Sequence, residues 1–105
     1  MFRLFTTKEF EKDFARLDKT EQLRIRKIIK QLEEKAADVG KPLSGLPFFR
    51  EKYFDGKRLY FLVYEEFSVV LVIAMSNKKA QQATINEILN SLVSYKENIL
   101  KRLEE

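Results

Sequence analysis

The chain has 105 residues, of which 45% are hydrophobic and 34% are charged, and its net charge is +4. This length and composition suit a single domain, residues 1–105, built around one core. The sequence contains no apolar run of the roughly 20 residues that a membrane span needs. Its first ten residues lack the long apolar core of a secretory signal. We therefore expect a soluble, cytoplasmic protein.

The residue types missing from the sequence exclude several kinds of chemistry. The chain has no cysteine and no histidine, which rules out disulfides, thiolate chemistry and Ser-His nucleophiles and nearly rules out zinc. Its acidic residues are scattered or adjacent, as in Glu65-Glu66, and adjacent strand positions point to opposite faces of a sheet. We expect no metal and no other cofactor, so any chemistry must come from Lys, Arg, Tyr, Glu or hydroxyl side chains.

Two helices are predicted after a short first strand at residues 1–5. Thr6 and Glu9 have the spacing of a capping box, and the segment from Asp18 to Glu21 repeats it. Apolar residues then recur at helical spacing up to Gly40, which ends the second helix. Because a very short turn separates the two helices, we expect an antiparallel helical hairpin.

After a connector at residues 41–47, the spacing of apolar residues changes from that of helices to that of strands. Two strands flank the turn Asp55-Gly56-Lys57, and a third, FSVVLVIAM, is so continuously apolar that we expect it to be covered on both faces. The helical period returns after Asn77 and predicts one C-terminal helix of about two dozen residues, counted from Ala80. The predicted order is β-α-α-β-β-β-α, an α+β fold with an antiparallel sheet and the helices packed on one face of it.

Charge and aromatic residues are concentrated on the predicted strands. Residues 41–79 carry seven basic and four acidic residues, a net charge of +3. Cations interleaved with Tyr and Phe are typical of surfaces that bind a nucleic-acid backbone. The same cations could instead be solvated charges that keep strand edges from aggregating. Tyr60 and Tyr64 are predicted to be core residues.

The order of elements and several motifs resemble the RelE/ParE superfamily of type II toxin–antitoxin toxins. KPLSGL resembles the connector of that family, FREKYFDGKRLYFLVY its basic strand, tight turn and Arg-containing strand, and VVLVIAMSNKK its apolar last strand with a basic end. The run of Lys78, Lys79 and Gln81 is similar to the HigB-like branch. The resemblance covers nearly the whole chain, and it favours the RelE/HigB-like branch.

The resemblance implies a metal-independent endoribonuclease that cleaves mRNA on the ribosome and so inhibits translation. Fixed cations in a partly desolvated groove would stabilise the charge on a pentacoordinate phosphate, and Lys52 is the favoured base or acid. The implied catalytic residues are Arg50, Lys52, Arg58, Lys78 and Lys79. The implied RNA-binding residues are Lys41, Arg50, Lys52, Tyr53, Lys57 and Lys78.

The sequence leaves other functions and partners open. A ParE-like inhibitor of DNA gyrase, without chemistry of its own, would share the fold, as would a degenerate member that only binds RNA. The resemblance also implies an antitoxin on a separate chain, acidic and partly disordered when free. The exposed side of the C-terminal helix, with Val93, Ile99 and Leu100, is predicted to contact this antitoxin or a second copy of the chain in a homodimer.

Overall fold

The computed structural model describes residues 1–104, which form a five-stranded sheet with helices on both faces. The strand order is β1-β5-β4-β3-β2; β1 runs parallel to β5, and every other neighbouring pair is antiparallel. The α+β class and the predicted sequence of elements are confirmed, with one additional strand and one additional helix. The elements are β1 Arg3–Thr6, α1 Lys8–Ala15, α2 Lys19–Lys35, β2 Lys41–Leu43, β3 Leu46–Phe54, β4 Lys57–Tyr64, β5 Val69–Asn77, α3 Gln81–Asn90 and α4 Leu92–Glu104.

The helical hairpin forms as predicted, with one change at its start. Asp18 caps α2, and Glu21 completes the predicted capping box. The cap of α1 is Thr7, whose hydroxyl accepts a hydrogen bond from the Phe10 amide and donates one to the Ile73 carbonyl. Thr6, the predicted cap, is instead the last residue of β1. The cap therefore also fastens α1 to the central strand β5.

The prediction that the helices share one face of the sheet is wrong. One core lies between the sheet and the helical hairpin, with Ile25 and Leu32 of α2 packed against Leu59 and Phe61. A second core lies on the opposite face, where α3 and α4 cover the sheet. Strands β4 and β5 are apolar at nearly every position, so both of their faces must be covered. Double coverage of the last strand is confirmed.

Two segments differ in detail from the prediction. Residues 41–43 of the predicted connector form β2, a short edge strand in which Pro42 is tolerated because edge strands need fewer ladder hydrogen bonds. The predicted single C-terminal helix breaks at Ser91 into α3 and α4. The break lets Ile88 of α3 and Ile99 of α4 reach the same core. None of the helices in residues 1–104 is long and apolar enough to cross a membrane.

Gly40 provides the close approach between the end of the hairpin and β3. Its φ is +68°, and a Cβ at this position would lie 2.1 Å from the carbonyl oxygen of Glu51. Gly45 has an almost identical φ of +69°, but a Cβ added there would meet no atom within 4 Å. We expect Gly45→Ala to cost about 1–2 kcal/mol of folding free energy through backbone strain. Gly40→Ala should cost about 1–3 kcal/mol more because of the clash.

Urea unfolding of the two variants measures this difference. Equal losses at both positions would contradict the close approach of Gly40 to β3.

Tyr64 gives the fold a specific sensitivity to alkali. Its hydroxyl is buried and makes no hydrogen bond within residues 1–104. Burial, with a smaller contribution from Glu66, raises the pKa of Tyr64 from 10.0 to about 12. Between these values the unfolded chain releases the phenolic proton while the folded chain keeps it, so stability falls as pH rises through this window. Below pH 10 both states hold the proton and the effect vanishes.

As pH rises from about 9 to about 12, the free energy of unfolding should fall by about 2 kcal/mol less in Tyr64→Phe than in the wild type. Urea unfolding at a series of pH values measures the difference between the two proteins. If the unfolding free energies of the two proteins change in parallel with pH, the Tyr64 phenol has the same pKa in the folded and unfolded chains.

Candidate nucleic-acid groove

The register of β3 against β4 decides which predicted site residues lie together. Directly paired residues of antiparallel strands point to the same face. Tyr53 pairs with Arg58 and Glu51 pairs with Tyr60, so these four share the face covered by α3 and α4. Arg50 and Lys52 pair with Phe61 and Leu59, on the face of the helical hairpin. The alternation thus places the side chains of Arg50 and Lys52 on the opposite face of the sheet from Arg58.

A cavity of about 380 Å³ opens beside Arg58 at the edge of the sheet. We call it the strand groove. It contains four of the residues predicted from the sequence, together with Glu51 and Gln81, which were not predicted as site residues. Its lining residues are Gly40, Lys41, Glu51, Lys52, Tyr53, Arg58 and Gln81.

Glu51 is the residue around which the strand groove is organised. Its side chain is only 3% exposed. One carboxylate oxygen accepts a 2.8 Å hydrogen bond from Nε2 of Gln81 and lies 3.8 Å from Nε of Arg58. The other oxygen lies 3.7 Å from Nζ of Lys41. A buried carboxylate needs such partners, because an unpaired charge away from water is very costly.

Arg58 is held between Glu51 and an aromatic ring. Its side chain is 14% exposed, and the guanidinium carbon lies 5.3 Å from the centre of the Tyr53 ring. Its Nη1 atom is buried and has no hydrogen-bond partner within residues 1–104. Unsatisfied buried donors are uncommon and costly. An oxygen of a ligand or a water in the strand groove would relieve this cost.

Tyr60 lies on the same face of the sheet, directly opposite Glu51 on the neighbouring strand. Its hydroxyl and that of Ser76 are 2.7 Å apart. Burial raises the pKa of Tyr60 above its ordinary value, and the nearby Glu51 carboxylate adds to the effect. The phenol therefore stays neutral near pH 7 and is available as a hydrogen-bonding group. Its predicted place in the core is confirmed by its full burial.

Arg50 and Lys57 make their polar contacts outside the strand groove. The Arg50 guanidinium donates hydrogen bonds to the carbonyls of Val39, Gly40 and Pro47, at 2.9, 3.1 and 3.2 Å. Arg50 therefore fastens the chain on both sides of β2. Lys57 forms an ion pair with Glu21 of α2, on the hairpin face. In the described chain, residues 1–104, neither Arg50 nor Lys57 lines the strand groove.

The basic pair after the last strand lies at the surface. Lys78 and Lys79 are exposed in the turn between β5 and α3, just before Gln81. Asn77 shapes this turn, because its side-chain oxygen accepts a hydrogen bond from the Ala80 amide. The turn carries both lysines next to the residue that holds Glu51, although the lysines themselves do not line the groove within the described chain.

The predicted contact surface on the C-terminal helix needs one correction. Val93 is 73% exposed and Leu100 is 39% exposed, so both are accessible. Ile99 is only 1% exposed and belongs to the core beneath α3 and α4. It cannot contact a partner while α4 is packed on the sheet. Because Ile99 and Leu100 are neighbours on a helix, they point in different directions.

Within residues 1–104 no group of three or more acidic side chains is arranged to hold a metal ion. The groups available for chemistry in the strand groove are one carboxylate, one guanidinium, two ammonium groups, a phenol and an amide. Such a set can bind a phosphate and transfer protons.

Comparison with solved structures shows what this fold is similar to. The isolated RelE toxin of E. coli superposes with a TM-score of 0.66 at 20% identity, covering 84% of this chain and 99% of that one. A chain of the RelBE2 toxin–antitoxin complex of Mycobacterium tuberculosis gives 0.63 at 16% identity, covering 73% and 98%. A chain of the RelB-RelE complex of Methanococcus jannaschii gives 0.59 at 15%, covering 76% and 96%.

These likenesses show that the chain has the fold of the RelE toxins, and they confirm at the level of the fold the resemblance seen in the sequence. No protein-family model matches the chain, and no curated protein matches it by sequence.

The burial of Glu51 predicts strong coupling to Arg58. We expect Arg58→Gln to cost about 3 kcal/mol of stability, because it leaves a buried carboxylate short of its partner. The same substitution in a Glu51→Gln background should cost clearly less. Urea unfolding of the two single variants and the double variant gives the coupling energy.

The exposed pair of Arg24 and Asp55, 2.8 Å apart, is the matched control. Its coupling should stay below about 1 kcal/mol because water screens it. Similar coupling for the two pairs would contradict a special role of Glu51 in holding the groove.

Proposed function

We propose that this protein is the toxin of a toxin–antitoxin pair and that it cleaves mRNA on the ribosome, in the cytoplasm. The observation that carries the proposal is a carboxylate, Glu51, held beside the guanidinium of Arg58 in an open groove flanked by Lys41 and Lys52. The likeness to structures named as RelE toxins and RelBE complexes supports the toxin class.

In this proposal cations bind the scissile phosphate. Arg58 and Lys41 contact its non-bridging oxygens and stabilise the additional negative charge that develops when phosphorus becomes pentacoordinate. A guanidinium suits this task because its donors match the geometry of phosphate oxygens. Tyr53 is 59% exposed and stacks on Arg58, so its ring offers a platform for a neighbouring base.

Proton transfer completes the proposed reaction. The Glu51 carboxylate accepts the proton of the ribose 2′-hydroxyl, and the 2′-oxygen forms a bond to the adjacent phosphorus. The bond from phosphorus to the 5′-oxygen breaks, and the Lys52 ammonium group donates a proton to that oxygen. The products are a 2′,3′-cyclic phosphate and a free 5′-hydroxyl. The sequence favours Lys52 as base or acid; in this proposal Glu51 is the base and Lys52 is the acid.

A separate antitoxin chain is the proposed partner. Acidic segments would complement the basic rim of the strand groove, and apolar side chains could contact Val93 and Leu100, which α4 leaves exposed. The structures named as RelBE complexes support a partner of this class.

The proposal predicts that Glu51→Gln abolishes most cleavage of mRNA on translating ribosomes. Loss of a general base lowers rates by about 10²–10⁴-fold, while the Gln amide keeps the shape of the side chain and can still accept the hydrogen bond from Gln81. Mapping of mRNA ends after incubation with ribosomes measures cleavage. Lys101→Gln, which removes an exposed charge on α4, is the control and should cleave like the wild type.

Three outcomes would change the proposal in different ways. If folded wild-type protein cleaves no mRNA on ribosomes, the ribonuclease is rejected, and gyrase inhibition or RNA binding without cleavage must be tested. If Glu51→Gln cleaves normally while Arg58→Gln does not, the base is assigned to the wrong residue. If Lys101→Gln is also inactive, net charge rather than the groove controls activity.

A further inference from the structure

A second basic cavity lies on the opposite face of the sheet from the strand groove. Its volume is about 310 Å³, and it opens between α2 and β3. Three cations and one amide surround an apolar floor, and none of these residues is acidic. We call it the helix groove; its lining residues are Arg24, Lys27, Ile28, Gln31, Lys52 and Phe54.

Lys52 lines both grooves, and the strand pairing explains how. β2 pairs with β3 only as far as the Lys41↔Glu51 pair. Beyond that pair, residues 52–54 of β3 form the edge of the described sheet. A cation on this edge borders the cavities on both faces, so the two grooves meet there without a strand between them.

The cations of the helix groove are available to an anion. Lys27 is exposed on α2. Arg24 makes an ion pair with Asp55, but the two side chains are 55% and 39% exposed, and pairs in contact with water contribute little. Gln31 adds an amide that can donate to a phosphate oxygen. Three cations with a single carboxylate, Asp55, beside them give the helix groove a net positive charge, which is the electrostatic pattern of a nucleic-acid contact.

We propose that the helix groove is a second phosphate subsite, which binds the backbone of the same RNA strand after it passes around the sheet edge at Lys52. This inference rests on the proposed RNA function of the strand groove. The scissile phosphate occupies the strand groove, and phosphates farther along the strand contact Arg24, Lys27 and Gln31. The contacts are to the backbone, so they add affinity without sequence preference.

The test compares short and long RNA. The probes are fluorescent 2′-O-methyl RNAs, which lack the attacking hydroxyl, of about 4 and about 12 nucleotides. The test variant is Arg24→Gln with Lys27→Gln. The matched control is Lys19→Gln with Lys30→Gln, which removes the same charge from exposed positions of the same helix that line neither groove within residues 1–104. Fluorescence anisotropy at several salt concentrations gives affinities and salt slopes.

We expect the wild type to bind the long RNA more tightly than the short one. The test variant should lose on the order of tenfold in affinity for the long RNA, and its salt slope should fall by about 0.7 for each phosphate contact removed. Its affinity for the short RNA should stay close to that of the control variant, because the short RNA fills the strand groove alone.

Two results would overturn the inference. If the test and control variants bind the long RNA equally, the helix groove is only a solvated basic surface, and the proposed function is unaffected. If the wild type binds neither RNA, the inference is overturned, while cleavage on translating ribosomes still decides the proposed function. Thermal unfolding of all variants confirms that each is folded.

Discussion

The burial of the Glu51 carboxylate is the constraint on which the arrangement of the groove depends. A single charged group draws together Lys41 from β2, Arg58 from β4 and Gln81 from α3. Each partner lowers the cost of keeping that charge away from water, so the carboxylate fixes where three elements meet. The same contacts leave a cationic rim around it. The side chains that stabilise the buried carboxylate are therefore the same ones that could bind a phosphate.

Arg50 shows how a neighbouring residue serves a different purpose. Its guanidinium carries a charge that could bind phosphate, yet it satisfies three carbonyls around β2. Those bonds hold the segment that presents Lys41 to Glu51. The adjacent positions 50 and 51 thus support one site from opposite faces of the sheet. A variant of Arg50 would act on the groove through the position of β2 and not through contact with a ligand.

The sequence was sufficient to predict the class of fold, because helical and strand periods are strong along most of the chain and Asp18 with Glu21 is a clear capping signal. It also located the strands that form the groove. It could not settle the face on which each side chain lies, since a shift of one residue in a strand exchanges the faces. The sequence therefore groups Arg50 with Arg58, from which it lies on the opposite face, and misses Glu51, which shares the face of Arg58. The partners of Glu51 come from distant segments, and no local pattern links Gln81 to β3. The burial of Ile99 likewise depends on the break at Ser91, for which the apolar stripe gives no signal.

The parallel pairing of β1 with β5 has a consequence for synthesis of the protein. Arg3 pairs with Val69, so the N-terminal strand has no partner in the sheet until most of the chain has been made. The side chain that completes the coordination of Glu51 follows later still, at Gln81. During translation the N-terminal helices can form locally, but the sheet closes and the groove is assembled only when the C-terminal part leaves the exit tunnel. The nascent chain therefore lacks a complete strand groove until the segment that carries Gln81 has been made.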